Sequence, residues 1–233
     1  MTSTPVALIT GGSRGLGRAL ARSLADRGWR LVLDGRDRAR LAAVVEELPA
    51  AVAVAGDVTD SAHRDALFVA VEAFGRLDLL VNNASDLGPS PLPRLADHPI
   101  DALRTVHETN VIAPLALCQQ FLPLLRTSSG AVVNVSSDAA VEAYEGWGGY
   151  GSSKAALDQL SAVLAVEEPG LRIYAVDPGD MRTDMHQLAF PGEDISDRPL
   201  PEDVVPALLH LLDVAPASGR YRATDWATVG VPR

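Results

Sequence analysis

Short apolar runs alternate with longer, helix-like segments along most of this chain. Six such runs occupy residues 6–10, 30–35, 51–56, 77–84, 130–137 and 171–177, and they are apolar at consecutive positions rather than at every second one. Continuous apolar runs are typical of strands that are buried on both faces of a sheet. Segments of helix length lie between them, at residues 15–27, 37–48, 60–75, 100–126 and 150–168. This alternation predicts an α/β fold with a doubly wound parallel sheet and helices on both faces.

The length and the net charge of the chain limit the classes of protein to which it can belong. A chain of 233 residues suffices for one sizeable core, so a single domain over residues 1–233 is predicted. The formal charge of −10 disfavours binding to nucleic acid or to an anionic membrane. The N-terminal apolar run is too short for a signal peptide or a membrane span, and the single cysteine, Cys118, excludes a cysteine-cluster metal site. The sequence therefore predicts a cytoplasmic protein without a metal.

The segment after the first predicted strand is rich in glycine. It reads TGGSRGLG, Thr10 to Gly17, and glycines at 11, 15 and 17 would let the backbone approach a pyrophosphate at the start of the next helix. The spacing differs from the general G-x-G-x-x-G fingerprint and lacks the Lys-Ser/Thr of a phosphate loop. The alternative is a glycine turn without a ligand. A strand before it and an amphipathic helix after it favour the dinucleotide site.

The other predicted strands also end in polar or small residues. Asp57 follows the third strand, where it would either accept a hydrogen bond from an adenine amino group or cap the next helix. Asn82 and Asn83 follow the fourth strand, a pair of serines follows the fifth, and the segment 177–183 (DPGDMRT) follows the sixth. Ligands bind at the carboxyl ends of strands in a doubly wound sheet, so these residues are expected to meet in one site.

Tyr150 and Lys154 stand four residues apart in GGYGSSKAALDQL. Side chains at this spacing share one face of a helix. A phenol titrates near pH ~10 and needs a neighbouring cation to act as an acid or base at neutrality. The pair is therefore a candidate proton-transfer device. From spacing alone, two unrelated residues on a solvated helix face remain the alternative.

Taken together and in order, these motifs resemble those of the short-chain dehydrogenase/reductase family, in its compact single-domain type. The resemblance extends from about Pro5 to about Asp213 and includes TGGSRGLG as the cofactor loop, NNA after strand four, YGSSK as Y-x-x-x-K, and PGDMRT as P-G-x-x-x-T. It implies a Rossmann-type fold and an NAD(P)-dependent oxidoreductase. Such an enzyme transfers hydride between a nicotinamide and a small carbonyl or alcohol substrate, and reduction of a ketone or aldehyde is the favoured direction.

The resemblance also implies a catalytic tetrad, which comprises Asn110, Ser137, Tyr150 and Lys154. Ser137 is preferred over Ser136 because the family's serine lies thirteen residues before the tyrosine. Tyr150 would exchange a proton with the substrate oxygen, and Ser137 would bind that oxygen. Lys154 would lower the pKa of the phenol and contact the nicotinamide ribose, while Asn110 would hold a water in a proton relay.

The cofactor site implied by the same motifs is larger. It comprises Gly11, Ser13, Arg14, Gly15, Leu16, Gly17, Arg36, Asp57, Val58, Asn83, Ala84, Tyr150, Lys154, Pro178, Gly179 and Thr183. NADP(H) is expected rather than NAD(H), because the place of the acid that selects NAD aligns best with Gly35. Arg14 and Arg36 would clamp a 2′-phosphate. In an alignment shifted by one residue, Asp34 would be the acid that binds the ribose.

Three further expectations concern the lid, the assembly and the activity. Residues 179–200 resemble the family's substrate lid, with a plain surface loop as the alternative. Residues 217–233 lack the glycine-rich final strand through which many relatives complete a tetramer, so a homodimer through segments 100–126 and 150–168 is predicted, with a homotetramer as the alternative. The substrate is expected to be a free small molecule. The rival function is that of a catalytically weak, dinucleotide-binding, redox-sensing regulator, and the presence of both tyrosine and lysine argues against it.

Overall fold

A seven-stranded parallel sheet forms the centre of the computed structural model, which describes residues 4–226. The strands are β1 (Val6–Ile9), β2 (Arg30–Gly35), β3 (Ala51–Ala55), β4 (Leu79–Asn82), β5 (Ala131–Val135), β6 (Arg172–Asp177) and β7 (Gly219–Arg222), in the order β3-β2-β1-β4-β5-β6-β7. All neighbouring strands run parallel. The predicted doubly wound fold is confirmed. Residues 1–3 and 227–233, the ends of the predicted domain, lie outside the described residues.

Eight α-helices accompany the strands. They are α1 (Gly15–Asp26), α2 (Arg38–Glu46), α3 (Ser61–Glu72), α4 (Ile100–His107), α5 (Ala113–Ser128), α6 (Gly148–Glu167), α7 (Asp184–Ala189) and α8 (Pro201–Val214). The single helix predicted at 100–126 is divided, because a wide π turn over Glu108–Ile112 separates α4 from α5. Pro114 explains the wide turn: it lacks the N–H that would bond to the carbonyl four residues earlier.

The core lies on both faces of the sheet. Ile9 of β1 belongs to the cluster that contains Leu20 of α1, while the preceding residue, Leu8, belongs to the opposite cluster with Phe121 of α5. Successive side chains of a strand point to opposite faces, so every residue of a strand covered on both sides must be apolar. This explains the continuous apolar runs of the sequence.

A seventh strand, β7, which the apolar runs do not predict, lies in residues 217–233, but it is not the glycine-rich final strand whose absence the sequence indicates. Gly219–Arg222 pairs with β6 in parallel register, from Tyr174↔Gly219 to Asp177↔Arg222. Its sequence, GRYR, is polar and half-exposed because an edge strand has a neighbour on one side only. Because the residues of β7 are polar, the continuous apolar runs that predict the other six strands miss this one. The assembly of the protein stays a prediction.

Candidate active site

A large cavity lies at the carboxyl ends of the strands, and its volume is about 1000 Å³. The sheet order changes direction between β1 and β4, which is where ligands bind in open α/β sheets. Every residue predicted for catalysis or for cofactor binding lines this cavity except Gly17 and Asn110. The fold thus brings together residues that are far apart in the sequence.

The glycine-rich loop is held in place from the end of β4. Gly11 has a φ of +65°, and a Cβ at this position would lie 2.9 Å from Nδ2 of Asn83. That amide nitrogen donates to the carbonyl oxygens of Thr10 at 2.8 Å and of Gly11 at 3.2 Å. Gly17 lies beneath the loop, and a side chain there would overlap the carbonyl oxygen of Gly11. Gly17 therefore permits the close packing of α1 against the loop, rather than lining the cavity.

Asp34, at the end of β2, is oriented toward the protein. The residue is only 1% exposed. Its Oδ1 accepts a hydrogen bond from the amide of Gly11 at 2.6 Å, and its Oδ2 lies 3.1 Å from Nε2 of His63 on α3. Burial raises the pKa of the Asp34 carboxyl, while the interactions with His63 and Gly11 act in the opposite direction. Both carboxylate oxygens already bind groups of the protein.

Four guanidinium groups line the cavity beside the ends of β1 and β2: Arg14, Arg18, Arg36 and Arg40. Arg40 was not predicted. It lies in the first turn of α2, whose N-cap Asp37 accepts a hydrogen bond from the Arg40 amide at 3.0 Å. An aspartate followed by a helical segment is a helix-start signal that would have placed Arg40 near this edge of the sheet. This end of the cavity is suited to an anionic group.

Asp57 does not cap the helix that follows it. Its Oδ1 accepts hydrogen bonds from the amide and the hydroxyl of Thr59, at 2.9 and 2.8 Å. The cap of α3 is Asp60, which accepts from the amide of Ala62. Burial acts to raise the pKa of Asp57, but the bonds from Thr59 and the charge of Arg36 outweigh it and the pKa is lowered. Of the two alternatives for Asp57, the helix cap is therefore excluded.

Tyr150 and Lys154 lie in the first turns of α6, facing the end of β5. Tyr150 is 8% exposed and Lys154 is 1% exposed. The Lys154 ammonium group donates to the carbonyl oxygen of Val135 at 2.7 Å and lies 5.4 Å from the centre of the Tyr150 ring. The pair is thus buried at the cavity wall, and the alternative of a solvated helix face does not hold.

Both serines that follow β5 line the cavity, but they differ in their contacts. The Ser137 hydroxyl donates to Oδ1 of Asp138 at 3.0 Å and also interacts with the Tyr150 phenol. The Ser136 hydroxyl is buried and has no hydrogen-bond partner among residues 4–226. Of the two serines, Ser137 is therefore the one that adjoins the Tyr150 phenol.

Burial dominates the titration of the catalytic pair. It raises the pKa of the Tyr150 phenol well above its ordinary value, with the Ser85 hydroxyl acting in the opposite direction and the Asp177 carboxylate adding to the increase. Burial also lowers the pKa of Lys154 to about 8, while the charge of Asp158 opposes this. In the structure, burial outweighs the contributions that lower the pKa of the phenol, and the lowering expected from Lys154 stays a prediction. A raised pKa favours the protonated phenol, the form that can donate a proton.

Asn110 lies outside the cavity wall and is fully buried, at 0% exposure, in the π turn. Its Oδ1 accepts hydrogen bonds from the Ser85 hydroxyl at 3.1 Å and from the Asp86 amide at 2.8 Å. Its Nδ2 donates to the Asp86 carbonyl at 2.8 Å and to the Ser153 hydroxyl at 2.9 Å. The side-chain amide is therefore used inside the protein, where it ties the loop after β4 to α6. The water-holding role that the family resemblance implies for Asn110 stays a prediction.

Ser85 is a site residue that sequence reasoning missed. Its hydroxyl donates to Asn110 and also acts on the Tyr150 phenol, so it connects two members of the predicted tetrad. It directly follows the NNA motif in the sequence, which was the available signal. Trp147 forms the apolar wall next to these groups: its ring packs edge-on against Tyr150 at 5.8 Å, and Phe190 lies 5.9 Å away on its other side.

The segment 179–200 lies against the cavity and contains the short helix α7. Thr183 caps this helix by accepting a hydrogen bond from the His186 amide at 3.2 Å. The Ser90 hydroxyl donates to the Leu188 carbonyl at 2.7 Å, so the segment is also tied to the loop after β4. Its position agrees with a lid better than with a plain surface loop.

Within residues 4–226, no group of three or more His, Cys, Asp and Glu side chains is arranged to hold a metal ion. No helix of this part of the chain combines the length and the apolar character that crossing a bilayer requires.

A family profile, proteins of known activity and solved structures all match this chain. A family profile described as short chain dehydrogenase matches residues 5–194. The serine 3-dehydrogenase of Agrobacterium fabrum is 37% identical over 182 residues, which cover 76% of this chain and 72% of that protein. A solved chain from Pseudomonas syringae, assigned to the short chain dehydrogenases, is 34% identical, with 94% of each chain covered and a TM-score of 0.88. An alcohol dehydrogenase from Thermococcus sibiricus, solved with 5-hydroxy-NADP, is 28% identical, with 94% of this chain and 95% of that chain covered and a TM-score of 0.84.

Proposed function

Since the chain belongs to the short-chain dehydrogenase/reductase family, we propose that it is an NADPH-dependent reductase of small carbonyl compounds. The observation that carries the proposal is one cavity with a buried tyrosine, a buried lysine and a half-buried serine at one end and four arginines at the other. The bound NADP derivative in the Thermococcus sibiricus structure supports the choice of cofactor. A homodimer and a cytoplasmic location stay predictions.

The residues of the cavity have separate tasks in this proposal. The nicotinamide, when bound, supplies the hydride. Tyr150 is buried and the pKa of its phenol is raised, which favours the protonated form, and in this proposal it donates that proton to the carbonyl oxygen as negative charge develops there. The Ser137 hydroxyl orients the same oxygen and stabilises its charge. Lys154 is fixed on the Val135 carbonyl beside the phenol, where its remaining N–H groups are available to ribose hydroxyls.

The preference for NADPH rests on the direction of Asp34. A carboxylate that selects NAD must face the ribose 2′-hydroxyl. Asp34 instead binds the Gly11 amide and His63, and it is almost fully buried. Arg14 and Arg36 line the cavity on this side, where planar guanidinium groups suit a phosphate.

A panel of ketones and aldehydes, each assayed with NADPH and with NADH, tests the proposal. We expect loss of the nicotinamide absorbance with at least one carbonyl compound, and a kcat/KM at least ~10-fold higher with NADPH, equivalent to ~1.4 kcal/mol of preferential binding. Equal or better efficiency with NADH would contradict the cofactor preference. Absence of turnover across the panel, with NADPH still bound, would favour the regulator instead.

Affinity for NADPH is expected to fall as the pH rises through about 8, the lowered pKa of Lys154. Below this pH the side chain is an ammonium ion, whose hydrogen bonds to ribose hydroxyls are strengthened by its charge. Above it the amine is neutral and the affinity is lower. Titration of NADPH between about pH 7 and about pH 9.5, below the ordinary lysine pKa of ~10.4, would follow the change. Lys154→Met should show no inflection in this range, and a wild-type profile without one would refute the assignment.

A further inference from the structure

Asp184, the first residue of α7, connects the lid segment 179–200 to the arginine wall of the cavity. This wall is formed by the four arginines beside the ends of β1 and β2, Arg14, Arg18, Arg36 and Arg40. Oδ2 of Asp184 lies 2.7 Å from Nη1 of Arg14 and 3.6 Å from Nη1 of Arg40. Arg14 belongs to the glycine-rich loop and Arg40 to α2, so one carboxylate oxygen bridges two other elements of the fold. All three residues line the cavity.

The position of Asp184 is that of an anion between two guanidinium groups. Arginine binds carboxylate and phosphate oxygens through the same N–H groups. Arg14 and Arg40 lie beside the end of β2, where the proposed function places the 2′-phosphate of NADPH. The carboxylate of Asp184 therefore binds groups that the phosphate would also need.

A purely structural role would also place an acid here, since Asp184 is in the first turn of α7, where the helix dipole favours a negative charge. The Asp184 side chain is 61% exposed, and exposed ion pairs contribute little to stability. The choice of partners distinguishes the two roles. Asp197 in the same segment pairs with its neighbour Arg198 at 2.7 Å, whereas Asp184 pairs only with arginines of the cofactor wall.

We propose that Asp184 is a specificity-determining residue that competes with the 2′-phosphate of NADPH for Arg14 and Arg40. The inference rests on the proposed use of NADPH. A carboxylate and a phosphate dianion repel one another and compete for the same N–H groups of these guanidinium groups. Binding of NADPH therefore displaces Asp184 and releases the start of α7, whereas a cofactor without the 2′-phosphate leaves this contact in place.

Two adenosine nucleotides separate the contribution of the 2′-phosphate to binding from that of the rest of the cofactor. Adenosine 2′,5′-bisphosphate carries the 2′-phosphate, and adenosine 5′-monophosphate lacks it. We expect Asp184→Asn to bind the bisphosphate ~3–10-fold more tightly than the wild type in a calorimetric titration, because a weak ion pair and a repulsion are removed. Affinity for the monophosphate should not change. The gain should shrink as salt is raised.

Asp197→Asn is the matched control, because it removes the same charge from the same segment without touching the arginine wall. It should leave both affinities unchanged, and thermal melting would verify that both variants are folded. Unchanged affinity of Asp184→Asn for the bisphosphate, or an equal gain for both nucleotides, would overturn the proposal. If the wild type did not prefer the bisphosphate and Asp184→Asn did not change this, the proposed NADPH preference would fall as well.

Discussion

Replacement of Tyr150 by phenylalanine is expected to lower kcat by at least ~10²-fold, the usual contribution of a positioned general acid. Phenylalanine keeps the ring that packs on Trp147 and adjoins Lys154, and it removes only the hydroxyl. Affinity for NADPH should therefore change little. Steady-state kinetics with a carbonyl compound from the panel, together with a titration of NADPH, would separate the two quantities.

Tyr221→Phe provides the control for this experiment. The Tyr221 hydroxyl donates to the Ala217 carbonyl at 2.6 Å, and Tyr221 does not line the cavity. Loss of this hydroxyl should leave kcat unchanged. Near-native turnover by Tyr150→Phe would show that the proton comes from another group.

The second large effect is expected from Gly17→Ala, which should both destabilise the fold and weaken NADPH binding. The added Cβ would overlap the carbonyl oxygen of Gly11 and lie 2.6 Å from Nδ2 of Asn83, the amide that holds the glycine-rich loop. A backbone oxygen cannot rotate away, so the loop must shift. Overpacking costs about 1–3 kcal/mol, which exceeds the ~1 kcal/mol or less that alanine gains over glycine within a helix.

Urea denaturation and NADPH titration of Gly17→Ala measure the two consequences. We expect a lower free energy of unfolding and at least ~10-fold weaker binding, since the loop amides that face the cofactor are displaced. Gly170→Ala is the control, because a Cβ there would meet no atom within 4 Å. If Gly17→Ala matched the wild type in both measurements, the loop would not depend on this close packing.

The sheet and the location of the site could be predicted from local patterns. Buried strands such as β1 must be apolar at every position, and their order in the chain follows from the βαβ alternation. The carboxyl ends of parallel strands meet at one edge, so Asn83, Ser137 and Gly179 converge there whatever the details of the loops. This is why most of the expected site residues line one cavity.

The remaining features depend on contacts between distant segments. The sequence alone does not decide whether Asp34 or Gly35 occupies the position of the acid that selects NAD. The direction of the Asp34 side chain is set by His63 from α3 and by the Gly11 amide, which are distant in the sequence. The raised pKa of Tyr150 comes from burial, which has no local sequence pattern. The contact of Asp184 with Arg14 joins residues 170 positions apart.

Transfer of deuterium from labelled NADPH to the product tests the central claim most directly. NADPH that carries deuterium at its transferable position would be incubated with a carbonyl compound, and the alcohol would be analysed by mass spectrometry. The account predicts one deuterium on the carbinol carbon with the wild-type enzyme, and a rate of deuterated alcohol formation at least ~10²-fold lower with Tyr150→Phe. An undiminished rate with Tyr150→Phe, or no deuterated alcohol from any carbonyl compound while NADPH still binds, would contradict it.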